Sequence, residues 1–434
     1  MSSAEGSALD RVWYHVFPLG ALEAPRLNPA PGDAGSPVDH RLRGLIDQLD
    51  RVAELGAGGM LLGPVFESES HGYDTVDPFR IDPRLGDEGD LVALAEGCRQ
   101  RGIRLALDGV FHHVGRSHPA FQQVLQEGPG SAGADWFHID PTADSPDGFG
   151  YADFEGHRQL VKLNHANPAV AQWAAEVVRH WQDRGVGGWR IDAAYAIPRP
   201  FLAGLCDAGR AHRPDTFFVG EVIHGDYAGF ARDAHLDAVT QYELWKAIWS
   251  SINDRNLFEL AWALKRHGEH CRSTRLWNFV GNHDTTRIAS QLSDPRHVGH
   301  AVAVLFVVPG TPAVYAGDET AAQGIKRHEE WGDDDVRRPA PPVPAEGAGR
   351  SAWELHQRLI GVRNRLAWLS TAQVSMEGLA NEEAVIAVEG EDGVARLALN
   401  LSDRTTAAPA GEVLAGAEGD TVAPHEWSLR LAPR

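Results

Sequence analysis

Two hydrophobic rhythms alternate along this chain: short apolar runs, and longer stretches whose apolar positions recur at helical spacing. Val12 to Phe17 reads as a first strand. Leu42, Leu45, Ile46, Leu49, Val52 and Leu55 then mark a helix that Gly56 would stop. Gly59 to Leu62 is a second strand, and Leu91 to Arg101 a helix before the third strand, Ile103 to Leu107, which ends in Asp108. The helix Ala169 to Arg184 leads into Val186 to Ile191, and Phe201 to His212 follows it. Thr216 to Gly220 is the fifth strand and Leu236 to Thr240 a weaker sixth. Leu257 to Arg266 (helix), Leu276 to Val280 (strand), His297 to Val307 (helix) and Ala313 to Tyr315 (strand) continue the rhythm, with Trp353 to Leu366 as last helix. Such alternation predicts an α/β fold of the closed (β/α)8, or TIM-barrel, kind. A doubly wound open sheet is the rival, and the chain has no Gly-x-Gly-x-x-Gly or Walker loop after its first strand to support it.

The rhythm breaks in three places. Ser68 to Asp90 is rich in turn residues and reads as a polar loop. Val114 to Gly156 is dense in Gly, Pro, Asp and His, too long for a structureless loop, and reads as a lid subdomain inserted after the third strand. After Leu369, Ala384 to Val388 and Ala395 to Leu399 alternate as strands of a small antiparallel β domain. The predicted organisation is barrel over 1–113, lid over 114–160, barrel again over 161–368 and β domain over 369–434.

Charge and composition narrow the partners. A net charge of -20 argues against nucleic acid and against an anionic membrane surface. The longest apolar run, Ala301 to Val308, is too short to span a bilayer, and the opening residues show no leader pattern. Three scattered cysteines (Cys98, Cys206, Cys271) fit thiols in a reducing cytoplasm. The reading is a cytoplasmic protein with a small neutral or polar partner.

On a barrel, chemistry sits at the C-terminal strand ends. Those ends carry Asp108, His112 and His113; Arg190 and Asp192; Glu221 and His224; His283 and Asp284. Strand alternation puts Arg190 and Asp192 on one side, where the cation would keep the carboxylate ionised as a nucleophile requires. Repulsion among Asp192, Glu221 and Asp284 would raise one pKa, giving an acid beside a base. Glycoside cleavage needs that pair, with retention at a separation of ~5–5.5 Å and inversion at ~6.5–9.5 Å. Histidine and acid clusters also suit a hydrolytic metal, but the first strand offers only His15, not a His-x-His.

Four segments resemble the signature regions of the α-amylase superfamily of glycoside hydrolases. They are Asp108-Gly109-Val110-Phe111-His112-His113, Gly188-Trp189-Arg190-Ile191-Asp192, Gly220-Glu221-Val222-Ile223-His224 and Phe279-Val280-Gly281-Asn282-His283-Asp284. Lys162-Leu163-Asn164, Tyr73-Asp74-Thr75 and Phe79-Arg80-Ile81-Asp82-Pro83 are most similar to its neopullulanase and cyclomaltodextrinase branch. The resemblance implies Asp192 as nucleophile, Glu221 as general acid/base and Asp284 as the carboxylate that holds the sugar hydroxyls. It implies Arg190 as the orienting cation, Tyr73 under the sugar ring, and His113 and His283 hydrogen-bonded to it. Asp74 and His224 join the substrate-binding set, and Asp333 and Arg337 resemble a late pair gripping the same sugar. Many members bind a structural calcium through an asparagine where this chain has His112, which argues against calcium there; the chemistry requires no cofactor. Ala194 and Tyr195 stand where many endo-acting members have a Lys-His pair, which makes ordinary starch liquefaction less secure. That branch usually carries an N-terminal β domain used in dimerisation, whereas this sequence opens on the barrel, so the oligomeric state is open. The implied activity is a retaining α-glucan or α-glucoside hydrolase acting on malto-oligosaccharides, cyclodextrins or related glucans. A transglycosylase, isomerase or phosphorylase is the alternative, and the intact acid set argues against a non-enzymatic sugar binder.

Overall fold

The computed structural model describes residues 7–329 and 331–434. Residues 1–6, part of the stretch read for a leader, lie outside the described residues.

Eight parallel strands close on themselves: β1 (Trp13–Val16), β2 (Gly59–Leu62), β3 (Arg104–Gly109), β4 (Gly188–Ile191), β5 (Phe217–Gly220), β6 (Ala238–Thr240), β7 (Arg275–Asn278) and β8 (Thr311–Tyr315). β8 closes the ring against β1, with Trp13 beside Ala313. Two apolar layers hold it. Inside the ring, Trp13, Leu61, Ala106, Phe217, Val219, Trp277 and Ala313 pack together. Outside it, residues such as Leu62, Leu107 and Ile191 pack against helix residues such as Leu94 and Val178. Interior aromatics dictate small neighbours: a Cβ on Gly188 would lie 2.0 Å from the Phe217 ring, and one on Gly59 would lie 2.4 Å from Trp13.

The structure differs from the expected elements in several places, among them an unexpected helix, Tyr227–Asp233, between β5 and β6. The stretch expected as a polar loop contains a hairpin, Phe66–Ser68 against Thr75–Ile81. Its alternation is irregular because the pairing is bulged, and Arg84 pins its base through Asp82 and Ser68. A helix, Tyr242–Asn253, follows β6 directly; only Gln241, whose side chain accepts from the Leu244 amide, separates the two, so no Gly or Pro marks the boundary. The helix expected over 42–55 is two pieces, Arg43–Ile46 and Leu49–Leu55.

Between β3 and β4 the chain builds small sheets and a helix, Pro119–Glu127. His113–Gly115 pairs with His157–Lys162, which also pairs with Asp153–Phe154. Past the last barrel helix, Ala348–Arg365, a five-stranded antiparallel sheet runs through Gln373–Leu379, Glu383–Gly390, Gly393–Asn400, Trp427–Ala432 and Glu412–Gly416. Arg363 in that helix is buried and donates to the carbonyls of Phe306, Val308 and Gly310 beneath β8. Among the described residues no helix is long and apolar enough to cross a membrane.

Candidate active site

Strand register assembles the site. Arg190 of β4 lies opposite Asp108 of β3 and Val219 of β5. Its guanidinium, 5% exposed, meets three carboxylates: Asp108 (2.7 and 2.9 Å), Asp192 (3.0 Å) and Glu221 (2.7 Å). Glu221 follows β5 and takes two more donors, the Ala193 amide at 2.9 Å and the Tyr242 hydroxyl at 3.1 Å. Ala193 adopts φ 45, the left-handed turn that aims its N–H back at Glu221.

One cation shared by three acids alters the expected electrostatics of Asp192. Burial pushes its carboxyl well above the usual range; Arg190 opposes this, while Glu221, Asp108 and Asp284 add to the rise. The expectation that Arg190 keeps Asp192 ionised is therefore corrected: desolvation outweighs a cation that is already committed elsewhere. Asp284 goes the other way. Burial would raise it, but His283, Arg337 and Lys326 hold it well below the usual carboxylate range.

A second layer surrounds Asp284. Arg337 donates to its carboxylate at 3.0 Å and to the His283 carbonyl at 3.2 Å, and lies 4.4 Å over the Phe17 ring. Asp333 pairs with Arg337 (3.1 Å) and Lys326 (3.3 Å), so it steadies the arginine and makes no contact with the three acids. His283 Nε2 lies 2.9 Å from Asp284 and also meets the Tyr73 hydroxyl, while its ring packs against both Phe17 and Tyr73, which also touch each other. Tyr73 reaches Asp108 at 3.2 Å. Arg190, Asp108, Tyr73, His283, Asp284 and Arg337 thus form one continuous network.

The remaining expected residues lie outside it. His113 is buried against Phe154, 3.2 Å from His112; burial holds it down to about 3, so it is a neutral imidazole beside the Tyr73 loop. Asp74 is buried and takes the Ser70 hydroxyl at 2.5 Å, supporting the loop beneath His71. His224 is exposed on the loop after β5 and touches none of the acids. His112 is ringed by His113, Phe154 and His165, nitrogen donors and an aromatic face that do not suit the all-oxygen shell of calcium.

Two participants, Tyr242 and Phe17, escape a sequence reading, and for Tyr195, which the resemblance singled out, the sequence does not show its partner. Tyr242 opens the unrecognised helix, and its hydroxyl joins Glu221 to Asn282. Phe17 closes β1 as the floor under His283. Tyr195 reaches from the loop after β4 to Glu155 of the inserted segment at 2.8 Å, tying lid to barrel.

A closed parallel barrel with these acids on the ends of β4, β5 and β7 defines a protein of the glycoside-hydrolase class. More particularly, the chain belongs to the alpha-amylase family, whose catalytic-domain profile matches residues 33–384. It is 32% identical over 406 residues to a cyclomaltodextrinase of Geobacillus thermopakistaniensis, covering 88% of this chain and 67% of that protein. It is 31% identical to neopullulanase 2 of Thermoactinomyces vulgaris over 388 residues, 85% of this chain and 65% of the relative. The chain therefore spans about two thirds of the length of these relatives. A solved cyclic α-maltosyl-(1→6)-maltose hydrolase of Arthrobacter globiformis, in complex with maltose, superposes with a TM-score of 0.82 at 27% identity, over 98% of this chain and 99% of that one.

Proposed function

We propose that the chain hydrolyses short α-glucans, linear or cyclic, with retention of configuration. The observation that carries this reading is the bracketing of Asp192 and Glu221 by one guanidinium, which brings the two carboxylates that glycoside cleavage needs to the same point of the barrel rim. Asp192 attacks the anomeric carbon from the β face, opposite the departing oxygen, and a β-glycosyl aspartate forms as the glycosidic C–O bond breaks. Glu221, held by Tyr242 and the Ala193 amide, protonates the departing oxygen and then activates water. Asp284, kept ionised by its cationic neighbours, accepts from the ring hydroxyls as the sugar flattens. Tyr73 supplies a stacking face, His283 and His113 donate to hydroxyls, and Arg337 holds Asp284 in place with Asp333 behind it. A sugar ring placed over Asp192 also changes its charge state. New hydrogen bonds from hydroxyls to the carboxylate replace the lost water and favour the ionised nucleophile.

The reading includes no metal or cofactor. Names of the similar proteins support small cyclic and linear maltosyl substrates, and the free cysteines suit a reducing cytoplasm. The test is a panel of linear, cyclic and branched α-glucosides, with products and anomers followed by chromatography and NMR. Cleavage of cyclodextrins or maltotriose to the α-anomer supports the reading. No turnover on any member, or turnover only with added phosphate or sugar acceptor, contradicts it.

A further inference from the structure

On the flank where the barrel meets the C-terminal sheet, three residues remote in sequence converge. Asp294 caps the 3₁₀ turn Pro295–His297, and its three-residue spacing from His297 places both side chains on one side of that turn. His425 comes from the turn between strands Thr421–Val422 and Trp427–Ala432, in the left-handed region at φ 60. Both histidines are largely buried, and the ligating atoms of all three residues lie within 4.8 Å of one another. We propose that Asp294, His297 and His425 form a binding site for a divalent transition metal of the zinc type, clamping the C-terminal sheet to the barrel.

The geometry is specific to nitrogen donors. His297 Nε2 and His425 Nδ1 face each other at 3.0 Å. Two imidazoles on one tetrahedral zinc, each at ~2.0–2.1 Å, hold their nitrogens about 3.3 Å apart. A ring movement of a few tenths of an ångström is enough to admit the ion. The outer shell has the form that zinc sites use: His425 Nε2 is 2.8 Å from Asp403, so that carboxylate takes the N–H and leaves the Nδ1 lone pair facing inward. Asp294 is also gripped by Arg296, whose side chain is 59% exposed; such a solvent-screened surface pair is weak and yields to a cation. Asp294 and Asp403 bring two negative charges, which they share with the exposed arginines Arg296 and Arg255. Two imidazoles and one carboxylate favour zinc, cobalt or nickel over calcium or magnesium.

The chain, stripped by chelation, is titrated with Zn²⁺ alone by calorimetry and with Co²⁺ for its visible absorption. The wild type binds one equivalent at this site, and its thermal midpoint rises with Zn²⁺. The His297→Gln/His425→Gln double variant loses at least about 100-fold in affinity, and Asp403→Asn about 10–100-fold, without loss of glucan turnover. His40→Gln is the control, since His40, Asp87 and Asp90 form the other candidate group; it leaves the affinity unchanged. If the double variant does not fold, Asp403→Asn and Asp294→Asn decide. A wild type that binds no Zn²⁺ below millimolar concentration, or variants that bind as tightly as wild type, overturns the proposal.

Discussion

Arg190 sets the electrostatics of the site because it carries the only side chain touching Asp108, Asp192 and Glu221 together among the described residues. Asp192→Asn and Glu221→Gln are each expected to lower kcat by about 10³-fold or more while the urea midpoint stays close to wild type. Near-normal turnover by either variant refutes the assignment. Asp108→Asn tests the shared cation. It removes one negative neighbour from Asp192 and frees Arg190, so the Asp192 pKa falls. Activity rises with pH as Asp192 ionises, and the acidic limb of kcat/KM therefore moves to lower pH. A limb that stays put or moves up contradicts this account. Most of these residues were legible in the sequence because each lies at or just past a strand end, where periodicity locates it. Tyr242 was not, because nothing in Thr240-Gln241-Tyr242 separates strand from helix. The Asp192 shift was not, because which carboxylates share a cation depends on register between strands.

At the scale of elements, the strands position acids and the loops hold the sugar. Gly188 shows how strictly the barrel specifies its interior. Gly188→Ala would drive a methyl into Phe217, and is expected to cost about 1–3 kcal/mol, read as a lower urea midpoint at unchanged slope. A variant as stable as wild type would mean that the strand shifts freely. Beside the hydrogen bonds of Asn164 and Asn167 to the Asp135 carbonyl, one of the links between lid and barrel is the Tyr195–Glu155 hydrogen bond. Tyr195→Phe removes it without touching the acids; KM is expected to rise several-fold with kcat nearly constant, whereas an unchanged KM denies the lid a part in binding. The strands and most helices follow from apolar spacing. The hairpin carrying Tyr73 does not, because its pairing is bulged and its stability comes from the Arg84–Asp82–Ser68 cluster.

Over the whole molecule, closure of the ring is what makes distant segments neighbours: Asp108, Asp192, Glu221 and Asp284 meet because β3, β4, β5 and β7 end on one rim. The fold also buries neutral histidines, some beside the site and some far from it. Burial lowers His112 and His113 to about 3 and His118, His267 and His300 to about 4. The unfolded chain binds protons at these positions below about pH 6.5 and the folded one does not, so stability is complete above that pH and falls as pH drops toward 4. Asp318, raised by burial to about 7, and Asp192 and Asp108, raised by the same cause, oppose the trend but are outnumbered. The urea midpoint is expected to fall steadily from pH 6.5 to 4, and a flat or rising midpoint contradicts this. The barrel class was legible from eight alternations of strand and helix. The clamp between barrel and C-terminal sheet was not, since His297 and His425 lie 128 residues apart. The most direct test of the central claim is mass spectrometry of the enzyme quenched with a slow fluoro-sugar glucosyl donor. A single glycosyl adduct on the peptide containing Asp192, absent in Asp192→Asn, is the predicted result. An adduct on another residue, or turnover with no adduct and release of the β-anomer, would contradict it.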